Sequence, residues 1–225
     1  MTEGVGLSTA IIGVGNIGST LARLLTNSNE RAIVAANEET HAQALAVELG
    51  PLADAASVEE AIRASDVVVF AVWLDTTRQL ISKHSRLLDG KVVVDPSNPI
   101  AFDEGGKLFR TLPDDRSAAD DISALLPRGA HYVKALGTLS APSLASGANR
   151  EPRAVLFYAT DDEAAAETAE WLIRAIGFEP LQAGGFADAK RLEAPDGDLH
   201  QGALNGELVD LKQARAAIAA RKGNA

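Results

Sequence analysis

Six residues near the start of the chain, Gly13-Val14-Gly15-Asn16-Ile17-Gly18, carry glycine in the spacing G-x-G-x-x-G. An apolar, β-branched run, Ser8 to Gly13, leads into them. A segment with apolar residues at Ile17, Leu21, Leu24 and Leu25, a helical spacing, follows. Strand, glycine turn and helix in that order suit a diphosphate. Gly13 permits the tight turn, Gly15 has no Cβ to hold a pyrophosphate away from the backbone, and Gly18 lets the helix lie close to the strand. The helix start adds free N–H groups and the positive end of its dipole. A glycine-rich turn without a ligand is the plain alternative. A methyl-donor site is a second, but its glycine loop differs from this one. The chemistry to expect is dinucleotide binding.

The turn after the second apolar run reads Ala35-Ala36-Asn37-Glu38-Glu39-Thr40-His41. An acid about 20 residues beyond the glycines usually bonds the ribose hydroxyls of NAD, whereas a cation receives the extra phosphate of NADP. Glu38 occupies that place, and no Arg or Lys occurs between Ala32 and Arg63. These residues taken alone lean toward NAD. First-turn helix charge explains Glu38 and Glu39 equally well. His41 reads as a solvated helix residue, with phosphate contact as the alternative. Ala71, Val72 and Trp73 end the most apolar run of the chain, where ligands sit in open α/β sheets, and are expected to border the nicotinamide. Trp73 reads equally as a core aromatic. Asp95, Ser97 and Asn98 stand where another strand stops, although Pro96 and Pro99 alone would make a rigid turn there. Lys134 is either next to the pocket, attracting an anion, or solvated. The histidines show no metal-ligand spacing, the paired aspartates are adjacent rather than facing, and no catalytic side chain and no metal are assigned.

The elements that must position these residues alternate. Strands are expected at 8–13, 31–36, 52–55, 66–72, 91–94, 130–135, 154–159 and 178–181. Helices are expected at 16–25, 40–49, 58–64, 76–88 with Asp75 as cap, 118–126, 161–176 and about 204–221. Residues 100–117 and 140–152 show no periodicity and read as loops. The alternation predicts an α/β protein, a doubly wound, mostly parallel sheet of Rossmann type. Residues 1–182 are expected to form the NAD(P)-binding domain and 183–225 a small C-terminal helical extension.

The chain has 225 residues, with 21 basic against 31 acidic side chains and a net charge of −10. That acidity disfavours a nucleic-acid surface but leaves room for one anion site built from backbone amides. There is no cysteine, which removes disulfides, thiolate catalysis and Cys-ligated metals. Met1 to Leu7 lacks a basic or apolar leader, and no apolar stretch approaches the roughly 20 residues of a membrane span. A soluble cytoplasmic protein, off the membrane, is expected.

Further segments match a known pattern. Val92-Val93-Val94-Asp95-Pro96-Ser97-Asn98-Pro99 looks like a strand ending in D-x-[TS]-N-P. Ser117-Ala118-Ala119, Leu126-Pro127 and Val133-Lys134-Ala135-Leu136-Gly137-Thr138 look like "S-A-A…L-P…V-K-A-F-N-T". Asp161-Asp162, Gly177-Phe178-Glu179-Pro180, Gly184-Gly185 and Leu192-Glu193 complete the order. With these the chain resembles the NADPH-dependent deazaflavin (coenzyme F-420) reductases and the related small dinucleotide-binding oxidoreductases, including the cytosolic domain of metalloreductases. The resemblance implies a homodimer and hydride transfer between NADP(H), with NAD(H) as the alternative, and a second redox partner, a deazaflavin in several members. It implies ring contacts from Asn98, Pro99, Ala135 and Leu136. Where the family has Ser or Thr and then Arg after the second strand, this chain has Ala36 and Asn37; where it has Phe and Asn, this chain has Leu136 and Gly137. A non-catalytic dinucleotide sensor or partner-binding module is the competing expectation.

Overall fold

A computed structural model of the chain describes residues 7–222. Residues 1–6, most of the stretch read above for a leader, and 223–225 lie outside it. In chain order the elements are β1 (Thr9–Ile12), α1 (Asn16–Asn27), β2 (Ala32–Ala35), α2 (Glu39–Leu49), β3 (Ala53–Ala55), α3 (Val58–Ala64), β4 (Val67–Phe70), α4 (Leu74–His84) and β5 (Val92–Asp95). Then come β6 (Ile100–Phe102), β7 (Leu108–Arg110), α5 (Ala118–Ser123), β8 (His131–Ala135), α6 (Ala141–Gly147), β9 (Val155–Ala159), α7 (Glu163–Ala175), β10 (Glu179–Gly184) and α8 (Leu211–Lys222).

Eight strands form one sheet in the order β3-β2-β1-β4-β5-β8-β9-β10. The first six are parallel; β9 runs against β8, and β10 runs with β9. This is the Rossmann order, with the switch point beside β1. The near-continuous apolarity of the central strands follows from burial on both faces. Side chains alternate across the sheet. Ile11, Val34, Val69, Val94 and Val133 join the core under α1, α2 and α7. Ala10, Ile12, Val68, Phe70 and Val93 join the core under α3, α4, α5 and the C-terminal segment. Ile12 lies beside both Ala35 and Phe70, so the turns after β1, β2 and β4 leave the sheet at one level.

Four expectations are corrected. Residues 100–117 are not all loop: β6 and β7 form a hairpin. Its turn closes because Asp103 Oδ1 accepts from the N–H groups of Gly105 (2.9 Å) and Lys107 (2.8 Å), and Gly106 adopts φ +78°. Three-residue strands are too short to show alternation among the surrounding charges. The 140–152 stretch contains α6, where Ser140 caps the first turn and Pro142 sits within it, the one part of a helix that tolerates proline. Trp73, not Asp75, stands at the cap of α4, which ends at His84 before a short 3-10 turn. The last helix starts at Leu211 rather than near 204, and a 3-10 stretch, Phe186–Leu192, precedes it against β9 and β10. No helix among the described residues is long and apolar enough to cross a membrane.

Candidate functional site

A continuous cleft lies over the carboxyl ends of the strands. One cavity of about 940 Å³ lies on the β2 side, lined among others by Gly13, Val14, Gly15, Ala36, Asn37 and Glu38. A second of about 740 Å³ lies on the β5 side, lined among others by Asn16, Ile17, Ala71, Trp73, Ser97 and Asn98. Gly13, Gly15, Val72 and Thr76 line both, so the glycine loop forms the saddle between them.

The three glycines do three different jobs. Gly13 stands at φ +101°, and a Cβ there would lie 2.5 Å from Val72 Cγ1. A Cβ on Gly18 would lie 1.8 Å from the Gly13 carbonyl oxygen, so this residue allows α1 to seat on the turn. A Cβ on Gly15 would meet nothing within 4 Å. The fold does not need glycine at position 15. The bare backbone there faces an open cradle at a helix start, the shape a pyrophosphate requires.

Helix starts on the cleft are capped in two ways. Ser57 and Ser140 line it and cap α3 and α6 with their side chains, as Ser117 and Asp162 cap α5 and α7 elsewhere. The starts of α1, α2 and α4, at Gly15, Glu38 and Trp73, border the cleft and carry no side-chain cap. Their first-turn N–H groups therefore remain to bond an anion. No acid occupies the first turn of α1.

The cavity on the β2 side is polar. Glu38 and His41 face each other at 3.6 Å, both largely exposed. Lys83 and His84, from the last turn of α4, line the same cavity. Burial pushes the His84 imidazole below its ordinary 6.5, so it is neutral near pH 7. The cavity on the β5 side has no carboxylate, lysine, arginine or histidine among its lining residues. Trp73, 59% exposed, stands at its mouth and meets Phe102 of the β6–β7 hairpin edge-on, with ring centroids 6.4 Å apart. Trp73 is thus a rim residue and not a core aromatic.

Beneath this cavity lies a buried brace. Asp95 Oδ2 accepts from Lys134 Nζ (2.9 Å) and Tyr132 OH (2.8 Å), and Asp95 Oδ1 accepts from the Ser97 N–H (2.8 Å). Lys134 Nζ also donates to the Ser97 carbonyl and lies 3.8 Å from Glu193 Oε1. Lys134 is 1% exposed, which removes both readings made from the sequence: it neither reaches the cleft nor meets solvent. The Glu193 carboxylate accepts from Ala118 N–H (2.8 Å) and faces the Arg110 guanidinium at 3.6 Å; burial holds its carboxyl above the ordinary carboxylate range. Arg110 belongs to β7, so the hairpin is tied to the C-terminal segment by charge. Asn98 adds a second tie, donating to the Gly137 carbonyl (3.0 Å) and accepting from Ala194 N–H (2.7 Å).

Of the residues expected at the site, Gly13, Val14, Gly15, Asn16, Ile17, Ala36, Asn37, Glu38, Ala71, Val72, Trp73 and Asn98 line the cleft. Gly18, Pro99, Ala135 and Leu136 line neither cavity; Ala135 and Leu136 are each 1% exposed, in the core at the end of β8. Ser97, singled out with Asn98 where β5 stops, also lines the cleft; sequence reasoning missed Ser57, Thr76, Gln79, Lys83 and the Ser140–Pro142 turn as cleft walls. A helical projection of 74–84 would have placed Thr76, Gln79, Lys83 on one face; nothing local marks Ser140.

Residues 8–99 match the family described as NADP oxidoreductase, coenzyme F420-dependent. The metalloreductase STEAP3 of Rattus norvegicus is 30% identical over 184 residues, 82% of this chain; the chain spans only 35% of that protein's length. The structure of the hypothetical protein SMa0349 from Sinorhizobium meliloti superposes with a TM-score of 0.77 at 30% identity, covering 86% of this chain and 93% of that one. A protein of Arthrobacter sp. FB24 assigned as an F420-dependent NADP reductase shares the fold, with a TM-score of 0.71 at 22% identity over 82% of this chain and 88% of that one. The matched stretch contains the glycine saddle and the β5 turn: residues 8–99 carry the pattern of the coenzyme F420-dependent NADP oxidoreductase family, and the chain shares one fold with SMa0349 over most of its length.

Proposed function

We propose that the protein is an NADP(H)-dependent oxidoreductase whose second redox partner, a deazaflavin or a comparable planar ring, docks at the aromatic rim of the β5-side cavity. The observation that carries this is the cradle at Gly15, open to a ligand and flanked by two cavities large enough for the two ends of a dinucleotide. The uncapped start of α1 supplies N–H groups to the pyrophosphate. Asn37, His41 and Lys83 are the neutral and cationic groups available to a 2′-phosphate, taking the place of the Ser/Thr-Arg pair that Ala36 and Asn37 replace. Ile17, Ala71 and Val72 wall the ring end of the cleft.

When bound, the nicotinamide cofactor supplies or accepts the hydride. This chain's residues hold one ring against the sheet and leave its outer face to the partner, whose entry Trp73 and Phe102 frame. Because no titratable side chain lines this cavity, the protein positions the rings and lends no proton. Titration with NADPH and NADH, followed by dihydronicotinamide fluorescence, tests the cofactor, with NADPH expected to bind tighter. Steady oxidation of NADPH with a deazaflavin, and slower oxidation with flavin or a ferric chelate, is the expected turnover. No binding of either nucleotide at millimolar concentration refutes the dinucleotide site; binding without turnover on any acceptor favours a sensor.

A further inference from the structure

The two cavities of the cleft treat charge differently. The β2-side cavity mixes acids with Lys83 and two histidines. On the β5 side the lining is neutral throughout: its polar side chains, among them Asn16, Thr76 and Asn98, carry no charge, and Ile17, Trp73 and Ile100 are largely apolar. α1, α4 and α6 begin at this cavity, and of these α1 alone is left ready for an anion. α1 has neither a side-chain cap nor an acid in its first turn. α4 has no side-chain cap, but Asp75 stands in its first turn and already sets a carboxylate at the positive end of the dipole. At α6 the Ser140 hydroxyl accepts from the Ser143 N–H, and Pro142 in the first turn has no N–H to offer. The pyrophosphate of a bound dinucleotide takes the α1 start, so no comparable grip remains for a second ligand.

The cations around the mouth are committed as well. Arg78 pairs with Asp75 (2.6 Å) and with Asp121, Arg116 pairs with Asp121, and Arg110 faces Glu193 at 3.6 Å. Lys107, on the hairpin turn beyond Phe102, shares that turn with Asp103 and Glu104. The chain as a whole carries a net charge of −10. An anion brought to this side gives up hydration without gaining a counter-charge, and it approaches against the field of the protein. Resting on the oxidoreductase reading above, we infer that the acceptor is a planar ring without anionic substituents. Its face meets the exposed aromatic rim at Trp73 and Phe102, and the same ring carrying a phosphate or carboxylate tail is selected against. Charge thus separates the two ligands of one cleft: the anionic dinucleotide on the α1 start, the uncharged ring on the neutral wall.

Riboflavin and FMN supply the test, because they share one ring and differ by a terminal phosphate. The hydride given up by the dihydronicotinamide adds to the ring, a solvent proton completes the reduced flavin, and the phosphate takes no part in the step. Two quantities are measured for each flavin: equilibrium binding to the NADP⁺-saturated protein, read by quenching of flavin fluorescence, and kcat/KM at saturating NADPH. Both are taken at about 0.01 M and about 0.15 M salt, where the screening length is about 30 Å and about 8 Å. Riboflavin is expected to bind at least about fivefold tighter than FMN at low salt and to lead by a similar factor in kcat/KM, with the gap narrowing as salt rises. Asp75→Asn should cut the low-salt ratio about twofold. FMN bound as tightly as riboflavin, or a ratio that neither salt nor Asp75→Asn moves, overturns the inference and leaves the dinucleotide site standing. So does failure of both flavins to bind a protein that binds NADPH. If NADPH itself does not bind at millimolar concentration, the parent reading falls with it.

Discussion

Glycines three residues apart in the saddle should fail in opposite ways. In Gly15→Val the backbone is already at φ −70°, and the first atom added meets nothing within 4 Å. Loss of a favourable cap residue costs on the order of 0.5–1 kcal/mol, and the stiffer unfolded chain returns about 0.4–1 kcal/mol. Net stability should stay within about 1 kcal/mol, or 2–4 °C of melting temperature for a chain of this size. Binding should collapse, because the added side chain fills the space a phosphate needs to reach the N–H groups of α1. Two lost charge-assisted hydrogen bonds at about 1.5 kcal/mol or more each weaken NADPH by at least ~100-fold. Gly18→Ala inverts the pattern. Its Cβ would lie 1.8 Å from the Gly13 carbonyl oxygen and 3.1 Å from Ala71 Cβ, so turn and helix must part. Overpacking backbone of this kind costs about 3 kcal/mol, a fall of roughly 6–12 °C. Thermal melts and NADPH titrations on both variants supply the four numbers. A Gly15→Val protein that binds NADPH within threefold of the unaltered chain would show that the diphosphate lies elsewhere. One that melts more than about 6 °C lower would show that the cradle is structural.

Other expectations follow from the cleft and its supports. Lys134→Met should lose about 3–5 kcal/mol in urea unfolding, because it leaves Asp95 buried without its cation and Glu193 with Arg110 alone; a loss under 1 kcal/mol would contradict the brace. Trp73→Ala and Phe102→Ala should each raise the KM of a planar acceptor several-fold with NADPH affinity unmoved, and equal effects on both would place the rim at the cofactor instead. Turnover should be flat from about pH 6 to 9 when both substrates saturate, since no titratable side chain lines the ring cavity; a bell-shaped profile would reveal a missed acid or base. Asp66 accepts from Ser8 Oγ (2.6 Å) and the Ser8 N–H (3.0 Å), and these bonds hold its carboxyl below the ordinary 3.8. A lowered folded value stabilises above the ordinary one and is lost as pH falls through it. The melting-temperature gap between the unaltered chain and Asp66→Asn should therefore be constant near neutrality and shrink below about pH 4, and a gap that widens toward acid would reverse the assignment.

Much of the nucleotide side was legible because its signals are local. Gly13, Gly15 and Gly18 are adjacent in sequence and in space, and the apolar runs at 9–12 and 67–70 are the strands that carry them. The β5 side of the cleft is non-local. Ser97, Phe102 and Ser140 converge only through the sheet order, and Arg110 and Lys134 find Glu193 across 83 and 59 positions. A lysine at a strand end reads as an anion ligand or a solvated residue; only the fold reveals Asp95 directly beside it, one strand over. Ala135 and Leu136 were placed by likeness of sequence, and both are buried in the core, Ala135 where β8 pairs with β9 and Leu136 one residue past the strand. β6, β7 and α6 went unread because so few residues set among Gly, Ser and Asp hold too few periods, although the equally short β3 and α3 were expected.

The amide of Asn98 stitches together positions separated by 39 and 96 residues. Both partners come from the second half of the chain, so one amide past the end of β5 couples that edge of the cleft to segments that arrive long after the glycine turn, and exchanging those segments should reshape the edge and leave the turn as it is.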